Sequence, residues 1–281
     1  MDRLTWHGIE LDAETALALL EWQAEMGVDE PVGDAPMDRF DLAARAEAPP
    51  PVMPTPAPAP LRLEPEGDDL SARVVQAEAL AAGADTLDAL AAAQESFDGI
   101  ELKKGARNFC FADGNPAARV LILGEAPGDE EDRQGRPFVG RAGQLLDRMF
   151  DAIGLSRQAV DAEKALYVTN VLTWRPPGNR DPQPDEIAMS LPFVRRHIEL
   201  VAPELIVLMG NIACDAAIGR RGILRLRGSW VQAFGRPALP MTHPAYLLRN
   251  PPAKREAWAD LLALSARLEG GGKVRVNTHP T

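Results

Sequence analysis

Four short apolar runs, separated by stretches of helical length, constrain this chain more than any other feature. ARVLILG (118–124), ALYVTNVL (165–172), ELIVLMG (204–210) and ALPMTH (238–243) are nearly continuous in apolar residues instead of alternating with polar ones. A strand that is apolar on both faces has to be covered on both faces, which points to a parallel sheet between helical layers. Helical patterns fall between or after the runs, over roughly 141–153, 184–201, 211–218 and 252–268. The expected fold class is α/β: a three-layer α/β/α sandwich around a short, mainly parallel four-stranded sheet. There is no internal repeat.

The N-terminal third is of another kind. Residues 1–96 carry 5 Lys/Arg against 20 Asp/Glu, whereas 97–281 carry 25 against 21, so the net charge of −11 belongs to the first segment. An acidic whole-chain average therefore does not exclude a nucleic-acid partner for the rest. Residues 11–26 (LDAETALALLEWQAEM) place Ala16, Leu19, Trp22 and Met26 at helical spacing behind a candidate N-cap, Asp12. Eight prolines within 46–66 cannot build a packed core and read as an extended linker. A further alanine-rich helix is expected over 69–95, broken at Gly83. The expected organisation is an acidic helical appendage (1–45), a Pro/Ala-rich linker (46–68) and a domain over 69–281 whose motif-bearing core is 97–268.

Two cysteines, Cys110 and Cys214, are too few for a disulfide framework or a four-ligand metal site. They suit a reducing cytoplasm. No run reaches the roughly 18 apolar residues of a membrane helix. The opening Met-Asp-Arg-Leu-Thr-Trp lacks the basic-then-apolar order of a signal peptide.

In an open parallel sheet, ligands bind beyond the C-terminal strand ends. Gly124-Glu125-Ala126-Pro127-Gly128 follows the first strand, Thr169-Asn170 lies near the end of the second, and Thr242-His243-Pro244 closes the fourth. Singly, Glu125 can cap a turn, Asn170 can satisfy a strand end and His243 can be a structural histidine. Together on one rim, a carboxylate, a carboxamide and an imidazole favour a site for a planar, uncharged ligand. An Asn amide matches the edge of a pyrimidine, and Phe138 offers a stacking face or, equally, a core aromatic. Arg133, Arg136, Arg141, Arg175, Arg180 and Arg249 lie on or beside loops 127–140, 175–184 and 244–252, where they can contact phosphates or simply face water. On the residues alone, a glycosylase, a nucleotide hydrolase and a non-catalytic binder all remain open.

Three segments in order, GEAPGDEEDRQGRPFVGRAGQLL (124–146), TNVLTWRPPGNRDPQPDEI (169–187) and HPAYLLR (243–249), closely resemble family 4 uracil-DNA glycosylases, the iron–sulfur type. The resemblance covers about 97–268 and implies the uracil-DNA glycosylase fold and excision of uracil from DNA in base excision repair. It implies that Gly124, Glu125, Ala126 and Gly128 hold the base, that Phe138 stacks on it, that Asn170 reads its edge and that His243 donates toward O2. Glu125 and His243 would be the catalytic pair, and Glu131 would position water or uracil. Tyr246, Leu247, Leu248 and Arg249 would form a wedge, with Arg136, Arg141, Arg175 and Arg180 on DNA. Ala126 stands where other uracil-excising families carry a general-base aspartate, so leaving-group stabilisation is expected to dominate.

The family holds an iron–sulfur cluster with four cysteines. Aligned through Gly114-Asn115-Pro116, Phe97, Ile100, Trp174 and Ser190 occupy those positions here. No metal or cofactor is therefore expected, and packing is expected to take over the cluster's structural role. The alternative function is a catalytically weak DNA- or partner-binding relative that keeps the pocket. Covalent capture of the abasic sugar would need a nucleophilic histidine between 134 and 144, and none occurs there. The remaining expectations are a cytoplasmic monomer acting on uracil-containing DNA, no membrane association, and a protein partner for the N-terminal helix.

Overall fold

The computed structural model describes residues 66–270, together with the backbone of two short strands that pair antiparallel, β1 (Leu4–Trp6) and β2 (Ile9–Leu11). Chain contacts divide the molecule after Arg62. Leu11, the first residue of the helix expected over 11–26, belongs to β2; the rest of that helix and the proline-rich stretch up to residue 65 lie outside the described residues.

The second unit opens with α1 (Glu66–Ala82) and α2 (Leu87–Ser96). The break expected at Gly83 is there, and α2 restarts from a Thr86 cap whose hydroxyl accepts the Ala89 N–H at 3.1 Å. α1 begins at Glu66, three residues earlier than expected. Next come β3 (Ala112–Gly114), β4 (Val120–Gly124), α3 (Asp129–Gln134), α4 (Arg141–Asp151), β5 (Leu166–Asn170), α5 (Pro184–Val201) and β6 (Leu205–Met209). The chain continues through α6 (Asn211–Ile218), α7 (Ile223–Leu226), β7 (Val231–Ala233), β8 (Arg236–Met241), α8 (Pro244–Arg249) and α9 (Lys254–Gly270).

The sheet has six strands in the order β3-β5-β4-β6-β8-β7, not four. Its four inner strands are the expected apolar runs and pair in parallel, while β3 and β7 add antiparallel edges. These edges escape a sequence reading because three residues carry no period.

Alternation along each strand sends neighbouring side chains to opposite faces. Leu121, Leu123, Ile206 and Leu208 pack with Ile187, Val194, Ile198, Ile212 and Ala213 of α5 and α6. Val120, Ile122, Val207 and Met209 pack on the other face with Leu146, Phe150, Leu261 and Leu264 of α4 and α9. Three layers result, as the doubly apolar strands require. Burying each such side chain contributes about 1.5–3 kcal/mol. Among the described residues no helix is long and apolar enough to cross a membrane.

Candidate active site

A cleft of about 690 Å³ opens beyond the C-terminal ends of the parallel strands, lined by Glu125–Gly128, Phe138, Gly210–Ile212 and Thr242–His243. Its base is set by strand register. Gly124 on β4 pairs with Asn170 on β5, and Val171 N–H donates to Gly124 O at 3.0 Å. A Cβ at Gly124 would lie 2.2 Å from Asn170 Oδ1 and 2.4 Å from Phe138 Cε2. The missing side chain is what lets amide and ring approach the same strand end. Asn170 is 2% exposed, yet neither its Nδ2 nor its Oδ1 has a hydrogen-bond partner. Buried amides are almost always satisfied, and an unpaired one costs about 1–3 kcal/mol per group. Thr173, Ser190 and Thr242 are likewise buried without a side-chain partner, so Asn170 is distinguished by its place at the strand end beside Gly124 and Phe138.

Phe138 is held in the left-handed region, at φ 55°. Three neighbours enforce that conformation. Glu131 accepts backbone N–H bonds from Gly128 (3.1 Å), Val139 (2.9 Å) and Gly140 (2.8 Å), tying both cleft loops to α3. Arg157, buried, donates to Pro137 O (3.0 Å) and Phe138 O (2.9 Å) and pairs with Asp113 and Asp147. Gly143 of α4 packs directly on the Phe138 backbone, where a Cβ would meet the carbonyl oxygen at 1.7 Å. The ring consequently lies 5.5 Å from the His243 imidazole.

His243 caps α8, its Nδ1 accepting the Ala245 N–H at 3.2 Å. Burial, reinforced by the Arg249 charge, pushes its pKa down to about 4. With Nδ1 accepting, the single proton of the neutral ring sits on Nε2, so the residue is a neutral donor at physiological pH. Burial, and then the nearby Asp181, raise the Glu125 carboxyl above the usual carboxylate range, while Arg221 opposes them. Donor, amide and aromatic face together can hold a planar heterocycle and stabilise charge that develops on it.

The family model for the Uracil DNA glycosylase superfamily matches residues 111–262. The chain belongs to that superfamily. The type-4 uracil-DNA glycosylase of Thermotoga maritima is 40% identical over 146 residues, covering 51% of this chain and 73% of that protein. That of Pyrobaculum aerophilum is 37% identical over 186 residues, 62% of this chain and 89% of that protein. A type-5 uracil-DNA glycosylase of the same organism is more distant, 29% identical over 130 residues, 43% of this chain and 54% of that protein.

Within this superfamily the structure redistributes several expected roles. Glu131 does not face a ligand alone, because both its oxygens are engaged by backbone amides; it positions the loops. Leu247, expected in the wedge, is 1% exposed and packs with Leu145 and Ala257. The segment 244–252, expected as a loop, holds α8, which leaves Tyr246, Leu248 and Arg249 nearer the surface. Arg175 bonds Asp129 (2.6 Å) and Asn179 (2.8 Å), and Arg180 forks onto Glu186 (3.0 and 2.6 Å), so these two staple their loop. Arg133 pairs with Asp129. Arg136 is half-exposed and 3.8 Å from Asp113, and Arg141 and Arg249 are exposed.

Sequence reading missed Arg157, whose partners lie 10–44 positions away, and it missed Gly210–Asn211. The latter had a signal, since it follows the third parallel strand and the strand-end rule applies there too.

The four positions that the resemblance aligns with the family's cluster ligands carry no thiol. Phe97, Ile100 and Trp174 are buried in one apolar group with Leu102, Leu172, Met189 and Phe193, and Ser190 is buried on α5 beside it. Phe97 packs 5.6 Å from Phe193 and Trp174 packs 5.0 Å from Phe109. A Cβ at Gly99 would strike the Phe97 ring at 2.2 Å, so the larger ring is matched by a small neighbour. Iron–sulfur ligation needs thiolates, and burial pushes both Cys110 and Cys214 up to about 12. Among the described residues no group of three or more His, Cys, Asp or Glu could hold a metal ion.

Proposed function

We propose that this protein hydrolyses the N-glycosidic bond of uracil in DNA through the cleft above β4 and β5. The observation that carries the reading is the buried, unpartnered Asn170 amide beside Phe138 and Gly124. In the bound state its NH₂ donates to uracil O4 and its carbonyl accepts from N3–H. Phe138 stacks on the extruded base, and the Gly124–Gly128 backbone closes around it. Extrusion costs roughly a few kcal/mol in lost stacking and pairing, which the fitted pocket offsets.

As the C1′–N1 bond breaks, its electron pair moves onto the base, and uracil leaves as an anion. His243 Nε2–H donates toward O2, where that charge accumulates. Because the ring is already neutral and oriented, it need not reorganise during the step. Water oxygen bonds to C1′ and gives up a proton, which the departing uracil anion takes up directly or through solvent; Ala126 leaves no aspartate beside Glu125 to activate that water. Glu125 is the nearby carboxyl with a shifted pKa, suited to orient water or the base. The packed group around Phe97, Ile100 and Trp174 takes the structural place of the family's cluster, and no step passes through a metal.

The test is incubation with oligonucleotides bearing a single uracil, cytosine or thymine, followed by alkaline cleavage at abasic sites. Strand breaks only at uracil support the reading; intact uracil strands with retained DNA binding favour a binding relative that keeps the pocket. The chain has only two cysteines, too few for a four-cysteine cluster, and that keeps this second reading in view.

A further inference from the structure

The turn after α6 and the short α7 that follows it, Gly219–Arg225, have no role in the chemistry above, although they reach the same cleft. Arg221, Ile223 and Leu224 line that cleft. Leu224 is 57% exposed at the mouth of that cleft. Arg220 and Arg225 flank the tip and are exposed. The loop is preorganised. Asn211 Oδ1 accepts the N–H groups of Gly222 (3.1 Å) and Ile223 (2.9 Å), and Gly219 and Gly222 adopt left-handed φ of 64° and 100°. Asp215 holds Arg221 through Nε at 2.9 Å. Asn211 in turn follows Gly210, where a Cβ would come within 3.3 Å of His243 Cβ. An apolar tip between guanidinium groups is thereby fixed relative to the imidazole of the site.

We infer that the segment Gly219–Arg225 is a second DNA-contacting surface, which grips the sugar–phosphate strand flanking the extruded nucleotide. This rests on the uracil-excision reading. Arg220 and Arg225 neutralise phosphates. Leu224 lies against the sugar or base next to the gap. Arg221, already shared with Asp215, offsets the Glu125 carboxylate where the strand enters. A flanking strand suits the chemistry better than an acidic peptide, because the loop lines the opening that the nucleotide itself must pass.

The test compares wild type, Arg220→Gln/Arg225→Gln, Leu224→Ser and a charge-matched control, Arg195→Gln/Arg255→Gln, whose arginines are exposed and do not line the cleft. Affinity for a uracil-containing duplex and for the same duplex without uracil is measured against salt, alongside single-turnover excision. Each lost phosphate contact lowers the salt slope by about 0.9, or roughly eightfold in affinity at 0.1 M salt. The loop arginine variant is therefore expected to lose roughly eight- to sixty-fold and the control about nothing. Leu224→Ser is expected to keep the salt slope and slow excision severalfold. Equal losses in both arginine variants would reduce the effect to net charge and overturn the inference, as would unchanged binding in the loop variant. A wild type that binds DNA and releases no uracil would sink the enzymatic reading, while the binding comparison still judges the loop. A wild type that binds no DNA overturns both.

Discussion

Replacing Asn170 by Asp changes one atom of an isosteric side chain and converts a buried amide into a buried acid. At 2% exposure, with no partner for either terminal atom, the site has nothing to solvate a carboxylate. The group must take up a proton to stay inside, so its pKa rises from about 3.9 to above 7. The unfolded chain remains ionised, and at about 1.36 kcal/mol per pH unit the folded state is penalised by about 4 kcal/mol at pH 7. At pH 5 the same arithmetic leaves about 1.5 kcal/mol. For a domain of this size that corresponds to a Tm about 8–16 °C below wild type at pH 7, narrowing to about 3–6 °C at pH 5. Asn170→Ala removes the unpaired atoms at the expense of a small cavity, so it should stay closer to wild type and show no such pH dependence. Thermal melts of the three proteins across pH 5–7, paired with uracil excision, provide the assay. An Asp variant whose Tm deficit does not change with pH would mean that the amide is solvated, and the buried-reader argument fails. Wild-type excision by that variant would refute the base-reading role outright.

Gly124→Ala should abolish most excision, because its Cβ claims space 2.2 Å from Asn170 Oδ1 and 2.4 Å from the Phe138 ring; single-turnover rates check this. Arg157→Met strands two carboxylates and two carbonyls, an expected loss of about 3–5 kcal/mol in stability, read by denaturant titration. Arg157→Lys keeps the charge but loses the fork, and it should slow excision by a larger factor than its melting shift explains. For pH, His243 and His197 are both held neutral by burial, with pKa values pushed down to about 4 and about 3. Because their folded values lie below the unfolded one, the stability they confer is complete above about 6.5 and is lost as pH falls below it. Excision should correspondingly show no inflection near 6.5 that His243→Asn removes.

Much of this arrangement is legible in sequence, for identifiable reasons. The four inner strands declare themselves because burial on both faces leaves uninterrupted apolar runs, and their ends mark the rim that carries Glu125, Asn170 and His243. The edge strands Ala112–Gly114 and Val231–Ala233 do not, because three residues are too short for any period. Leu247 reads as a wedge as long as 244–252 is taken for a loop; once Pro244–Arg249 is helical, that side chain turns inward onto Leu145. Glu131 and Arg157 act through backbone atoms of distant loops, and no local pattern records which carbonyl a guanidinium will find. The positive φ of Phe138 is hidden for the same reason: it is imposed by Gly143, Glu131 and Arg157 together.

The central claim is that this pocket excises uracil on a scaffold whose cluster positions hold packed side chains. It is tested most directly by single-turnover uracil release from a protein preparation whose iron content has been measured. The expected result is one uracil and one abasic site per active molecule, from protein with no stoichiometric iron and no visible charge-transfer band. Excision that appears only after iron and sulfide are restored, or none from folded, DNA-binding protein, would contradict it.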